Sequence, residues 1–124
     1  MEKISETPKN TFEEETEFTQ IKWGEVGMPQ KFVQVKDQDG NTCIMSYPTE
    51  GDTKLHMGVL MKGLEYFKAK GKTITKVGGG FLIKKADGSL RISGTSTQLG
   101  AFNAEEVVSA LEKAFPGVVV DVRE

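Results

Sequence analysis

Between Lys31 and Val122 the hydrophobic period of the chain switches from two residues to 3.6 and back, twice, and that alternation restricts the folds open to it. Lys31 to Lys36 alternates as a strand does, with Val33 and Val35 on one face and Phe32, Gln34 and Lys36 on the other. Asp39-Gly40 is a hairpin turn signal, Thr42 to Tyr47 supplies the return strand, and Pro48 through Asp52 is a loop. Thr53 reads as the N-cap of a helix running to about Lys70, with Met57, Leu60, Met61, Leu64 and Phe67 as its apolar stripe. Gly71 ends it, and Lys68 and Lys70 suit the negative end of its dipole. Three short strands are predicted next, Thr73–Val77, Phe81–Lys85 and Leu90–Ser93, with Gly78-Gly79-Gly80 and Asp87-Gly88 in the turns between them. After a small-residue loop, Asn103 and Glu106 form a capping box for a second helix, striped by Ala104, Val107, Val108, Leu111 and Phe115. Pro116-Gly117 breaks that helix, and Val118–Val122 is apolar enough for a strand at a sheet centre. The order β-β-α-β-β-β-α-β predicts an α+β fold: a single domain with a mixed β-sheet of about six strands flanked by two α-helices.

Residues 1–29 stand apart from this pattern. Glu13, Glu14, Glu15 and Glu17 crowd together with Phe12 and Phe18 as the only aromatic residues before position 20, so this stretch reads as an acidic, disordered or loosely docked tail. Trp23 and Met28 are the residues that would pin its end to a domain spanning 30–124.

The 124 residues suffice for one core, since a chain of this size buries roughly 65% of its unfolded surface. Cys43 is the only cysteine, which excludes an internal disulfide and suits a reducing, cytoplasmic setting. Sixteen basic against eighteen acidic residues argue against a nucleic-acid binder, and no apolar run approaches a membrane span. With His56 as the only histidine, a multi-histidine metal centre is excluded, so neither a metal nor another cofactor is expected. A monomer is expected, because the two helices leave little apolar surface unassigned.

Four features bear on chemistry. His56 falls in the first turn of the first predicted helix, where the dipole disfavours a positive charge, so its imidazole should stay neutral as a base or nucleophile. Its position at the stripe's edge equally suits a semi-buried structural histidine. The run Ser93-Gly94-Thr95-Ser96-Thr97-Gln98-Leu99-Gly100 leads from a strand towards a helix. It reads as an anion nest or as an ordinary flexible loop, and matches no P-loop or dinucleotide fingerprint. Lys31 shares strand parity with Val33 and Val35, so its ammonium either snorkels or supplies a fixed charge for an anionic substrate. Gly78-Gly79-Gly80 exceeds what a hairpin needs, although a bulged turn would account for it. A neutral base, a cation and a cradle of amides together fit phosphoryl transfer to water without a metal.

In this order the landmarks resemble the phosphohistidine phosphatase family, also called the Janus/Ocnus family. They are Lys31-Phe32-Val33, His56, Gly78-Gly79-Gly80, Gly94-Thr95-Ser96 with Gly100, and Phe115-Pro116, spread over about Gln30 to Val122. The resemblance implies a small metal-independent phosphatase in which His56 is catalytic, Lys31 binds substrate, and Gly94 with the amides of Ser96, Thr97 and Gln98 holds the phosphate. The implied partners are phosphohistidine-containing proteins or peptides and inorganic phosphate, with neither nucleic acid nor membrane involved. Three positions depart from the pattern. Phe81 follows the triple glycine where arginine is expected, Thr95 and Leu99 replace aromatic residues, and Met57-Gly58 follows His56 in place of a small residue and aspartate. These departures keep a second reading open, a non-catalytic module that binds a phospho-group as a regulator, and a third, a scaffold without a ligand.

Overall fold

In the computed structural model, which describes residues 15–123, six strands form one mixed sheet. They are β1 (Thr19–Ile21), β2 (Gln30–Lys36), β3 (Thr42–Ser46), β4 (Thr75–Lys84), β5 (Leu90–Ser93) and β6 (Val120–Arg123), in the order β1-β3-β2-β4-β5-β6. Both outermost pairings, β1 with β3 and β5 with β6, are parallel, and the inner ones are antiparallel. Helices α1 (His56–Ala69) and α2 (Ala104–Ala114) cover opposite faces. Val59, Leu60 and Phe67 of α1 pack with Val33, Val35, Cys43 and Met45, whereas Val107 and Leu111 of α2 pack with Phe32, Ile44, Leu82 and Ile92. Adjacent β2 residues therefore feed different cores, as the period of two demands. The predicted α+β domain, a mixed sheet flanked by two helices, is the one the chain adopts. Among the described residues no helix is long and apolar enough to cross a membrane.

Local chemistry accounts for the hairpin and the second cap. Asp37 Oδ1 accepts the amides of Asp39 and Asn41 at 3.0 and 2.9 Å, and Gly40 turns the chain at φ +84°. Asn103 Oδ1 accepts the Glu106 amide at 3.0 Å, as the capping box requires. The returning half of the box is rerouted through Gln34, which is fully buried in β2. Its carbonyl accepts the Asn103 amide at 2.8 Å and its amide group donates to Glu106 Oε1 at 2.9 Å.

Five expectations are corrected. The sheet takes in residues assigned above to the tail: β1 pairs with β3, placing Ile21 in the core, and Trp23 packs against Phe115, while Met28 is 55% exposed. Three alternating residues are too few to register as a strand until β3 is beside them. Phe12, Glu13 and Glu14 lie outside the described residues. The triple glycine is no turn, because β4 continues through it as a strand, with a register shift at the preceding Val77, and fuses two predicted strands into one. A Cβ at Gly78 or Gly80 would collide with the Ala101 carbonyl or the Phe102 ring on the α2 side. The last strand is β6 at Val120–Arg123 rather than 118–122, and it lies at the sheet edge with Val122 40% exposed, since β2 and β4 occupy the sheet centre.

The remaining two corrections concern α1. It buries His56, Val59, Leu60, Gly63 and Phe67, leaving Met61 64% exposed, because bare Gly63 lets the helix settle onto Met45. Nor is Thr53 its cap: the Thr53 hydroxyl donates to the carbonyls of Pro48 and Glu50, at 2.7 and 2.8 Å, inside a 3-10 turn at Gly51–Lys54. Extended Leu55 separates that turn from α1, so His56 is the first helical residue and not the third.

Candidate active site

His56 opens α1 directly over the glycine segment of β4, and the two fit one another. Gly79 lies opposite Val33 on the α1 face, where a Cβ would sit 2.8 Å from His56 Cδ2. The missing side chain is the space the imidazole fills, and His56 ends 5% exposed. Its Nε2 stands 2.8 Å from the Gly80 carbonyl oxygen. A carbonyl only accepts, so Nε2 carries the proton and the neutral ring keeps its lone pair on Nδ1. That nitrogen has no hydrogen bond to a described residue, yet it is not sealed from solvent. Burial pushes the His56 pKa below its ordinary value of 6.5. The bond to Gly80 works against that shift, while the charge of Lys31 adds to it. The imidazole is therefore neutral at pH 7, with Nδ1 available as a base or nucleophile.

Lys31 and Phe81 face one another across the β2–β4 ladder, on the α1 side with Gly79. The Lys31 ammonium lies 5.2 Å from the centre of the Phe81 ring. The same ring meets the His56 imidazole edge to face, with centroids 5.6 Å apart and planes at 79°. At its border is Gly94, whose φ of +74° and whose missing Cβ, which would be 2.7 Å from Phe81 Cδ2, both exclude other residues. One ring thus gathers the histidine, the lysine and the glycine. Reading the triple glycine as a turn concealed Phe81, because only a continuous strand gives it the same parity as Gly79.

The loop after β5 is held to the same glycine. Beyond Ser93 it takes over the edge of β4: the Ser96 amide donates to the Gly79 carbonyl at 2.9 Å and the Gly79 amide to the Gly100 carbonyl at 3.0 Å. Ser96 is 1% exposed, and its Oγ accepts the amides of Leu99 at 3.0 Å and Gln98 at 3.3 Å. The expected cradle of Ser96, Thr97 and Gln98 amides is therefore not open as a set. Ser96 and Gln98 spend theirs within the fold, whereas Thr95 and Thr97 are exposed and their amides bond to no acceptor among the described residues. The Ser96 side chain also matters more than a phosphate contact would require. Ser96→Ala strips two amides of their acceptor, so a denaturant melt should show a loss of roughly 1–3 kcal/mol.

These groups combine a neutral imidazole with a free lone pair, a fixed cation and exposed loop amides, an arrangement suited to attack on an anionic centre with charge stabilised nearby. Two concavities lie apart from it. One of about 530 Å³ lies between β1, the β2–β3 turn and α2, lined by Phe18, Asn41, Glu105 and Lys113 among others. The second, of about 570 Å³, adjoins the β4–β5 turn. Among the described residues no group of three or more His, Cys, Asp or Glu side chains is placed to hold a metal ion. The family model described as the Janus/Ocnus family matches residues 18–119, from the residue before β1 to the residue before β6. No curated protein matches the chain.

Proposed function

We propose that this chain, which belongs to the Janus/Ocnus family, is a protein phosphohistidine phosphatase with His56 as its catalytic residue. The observation that carries the reading is the tautomer of His56: the Gly80 carbonyl holds the proton on Nε2 and leaves the lone pair on Nδ1, in a ring that feels the Lys31 charge. In one route Nδ1 attacks phosphorus, the P–N bond breaks, and the departing substrate imidazole leaves as the neutral base after taking up a proton. Water then hydrolyses the phosphohistidine formed on the enzyme. In the other route Nδ1 removes a proton from a water that attacks phosphorus in line, and the P–N bond breaks as the substrate imidazole, protonated from solvent, departs. Both yield histidine and inorganic phosphate, and both need a neutral imidazole. Lys31 offsets the charge of the phosphoryl oxygens, and the exposed amides of Thr95 and Thr97 are the donors nearest to hand in the loop.

The test is release of inorganic phosphate from a phosphohistidine peptide, which the wild-type protein should catalyse. A protein that binds the peptide without releasing phosphate is instead the non-catalytic phospho-group module. The pH profile is a second check. Because the His56 pKa lies below 6.5, kcat/KM should hold level through neutral pH and decline only below that value. Lys31→Ala removes a nearby positive charge and should move the acid limb upward. Rates corrected for spontaneous hydrolysis of the acid-labile phosphoramidate decide the matter, and an acid limb above pH 7 in the wild type would exclude His56 as the base.

A further inference from the structure

Phe81 is neither acid, base nor cation, yet its ring touches the His56 imidazole, the Lys31 ammonium and Gly94. We propose that Phe81 is a positioning residue: its ring holds the Lys31 ammonium beside His56 and so creates a binding site for a phosphoryl anion. That the anion is a phosphoryl group rests on the phosphatase reading above; the positioning itself does not.

Lysine is a flexible side chain, and among the described residues no ion pair restrains Lys31. The ring is its neighbour instead, at cation–π distance. The difference has a chemical consequence. A carboxylate would restrain the ammonium and cancel its charge, whereas a ring restrains it and leaves the full positive charge for an incoming anion. The ring is itself confined, with the imidazole against it at 5.6 Å, Gly94 at its border and Lys31 directly opposite in the ladder. His56 already feels the outcome, because the Lys31 charge contributes to lowering its pKa.

The experiment is an NMR titration of the full chain with inorganic phosphate, using wild type, Phe81→Leu, Phe81→Tyr, Lys31→Ala and the Phe81→Leu/Lys31→Ala double variant. The His56 ring titration is followed in each. Phe81→Leu should weaken phosphate binding by about two- to fivefold, the range expected for loss of one cation–π contact. Phe81→Tyr should bind like wild type, since the ring is retained. The decisive result lies in the Lys31→Ala background, where Phe81→Leu should add no further loss, because there is no ammonium left to position. The upward shift of the His56 pKa caused by Lys31→Ala should likewise largely absorb that caused by Phe81→Leu. A merely structural ring would give losses that add across the two backgrounds, and additive losses overturn the proposal. So would wild-type phosphate affinity in Phe81→Leu, or the absence of any localised shift around His56 in the wild type. If the coupling is found but the wild type releases no phosphate from a phosphohistidine peptide, the phosphatase reading fails and the positioning role of Phe81 stands.

Discussion

His56→Ala should slow phosphate release from a phosphohistidine peptide by about 10²–10⁴-fold, the loss typical of removing an acid–base group, and by more if Nδ1 is the nucleophile. The ring is buried and donates to the Gly80 carbonyl, so alanine also leaves a void and removes that hydrogen bond. Some stability is lost with it, and rates must be compared well below the melting temperature. His56→Gln separates the two effects. Its side-chain amide can still donate to Gly80, while it offers no basic nitrogen. It should be more stable than the alanine variant and just as inactive. Activity near the wild-type level in either variant would show His56 to be a packing residue, and the candidate site would lose its centre.

The second large effect is expected at a residue with no side chain at all. In Gly79→Ala the new Cβ would lie 2.7 Å from the Phe32 carbonyl oxygen and 2.8 Å from His56 Cδ2, and the backbone oxygen has little freedom to yield. The imidazole must therefore lift off the strand, taking Nε2 away from Gly80 and the ring from its contact with Phe81. A displacement of about 1 Å at a reacting group costs on the order of 10²-fold in rate, so kcat should drop by at least that factor. Overpacking should also cost about 1–3 kcal/mol in a denaturant melt. Gly63→Ala is the control, because it crowds Met45 beneath the same helix without touching the site. It should lose comparable stability and keep its turnover. Equal activity in the two variants would mean that His56 does not depend on the space Gly79 leaves.

The residues show where sequence reasoning was sufficient and where it was not. Asn103 capping α2, Gly40 turning the hairpin, and the parity that puts Lys31 with Val33 and Val35 are local matters, settled among residues a few positions apart. Sequence could read them for that reason. Phe81 and β1 could not be read that way. A triple glycine is ordinarily a turn, and it runs as a strand here only because His56, Ala101 and Phe102 press on it from residues more than twenty positions away. Thr19–Ile21 is a strand only because β3 offers a free edge. The loop shows the same limit. Its glycines and hydroxyls suggested an open nest, but whether an amide is free depends on what lies opposite, and Gly79 had already claimed that of Ser96.

By itself, then, the sequence determined the class of the fold, the approximate span of both helices, and a histidine in the first turn of one of them, because periodicity and turn residues act over a few positions. The tertiary structure alone decided that His56 keeps its proton on Nε2, that Phe81 stands between it and Lys31, and that Ser96 secures the loop. Those are contacts between β2, β4, α1 and the 94–100 loop, and their distances exist only once the two faces of the sheet have been packed.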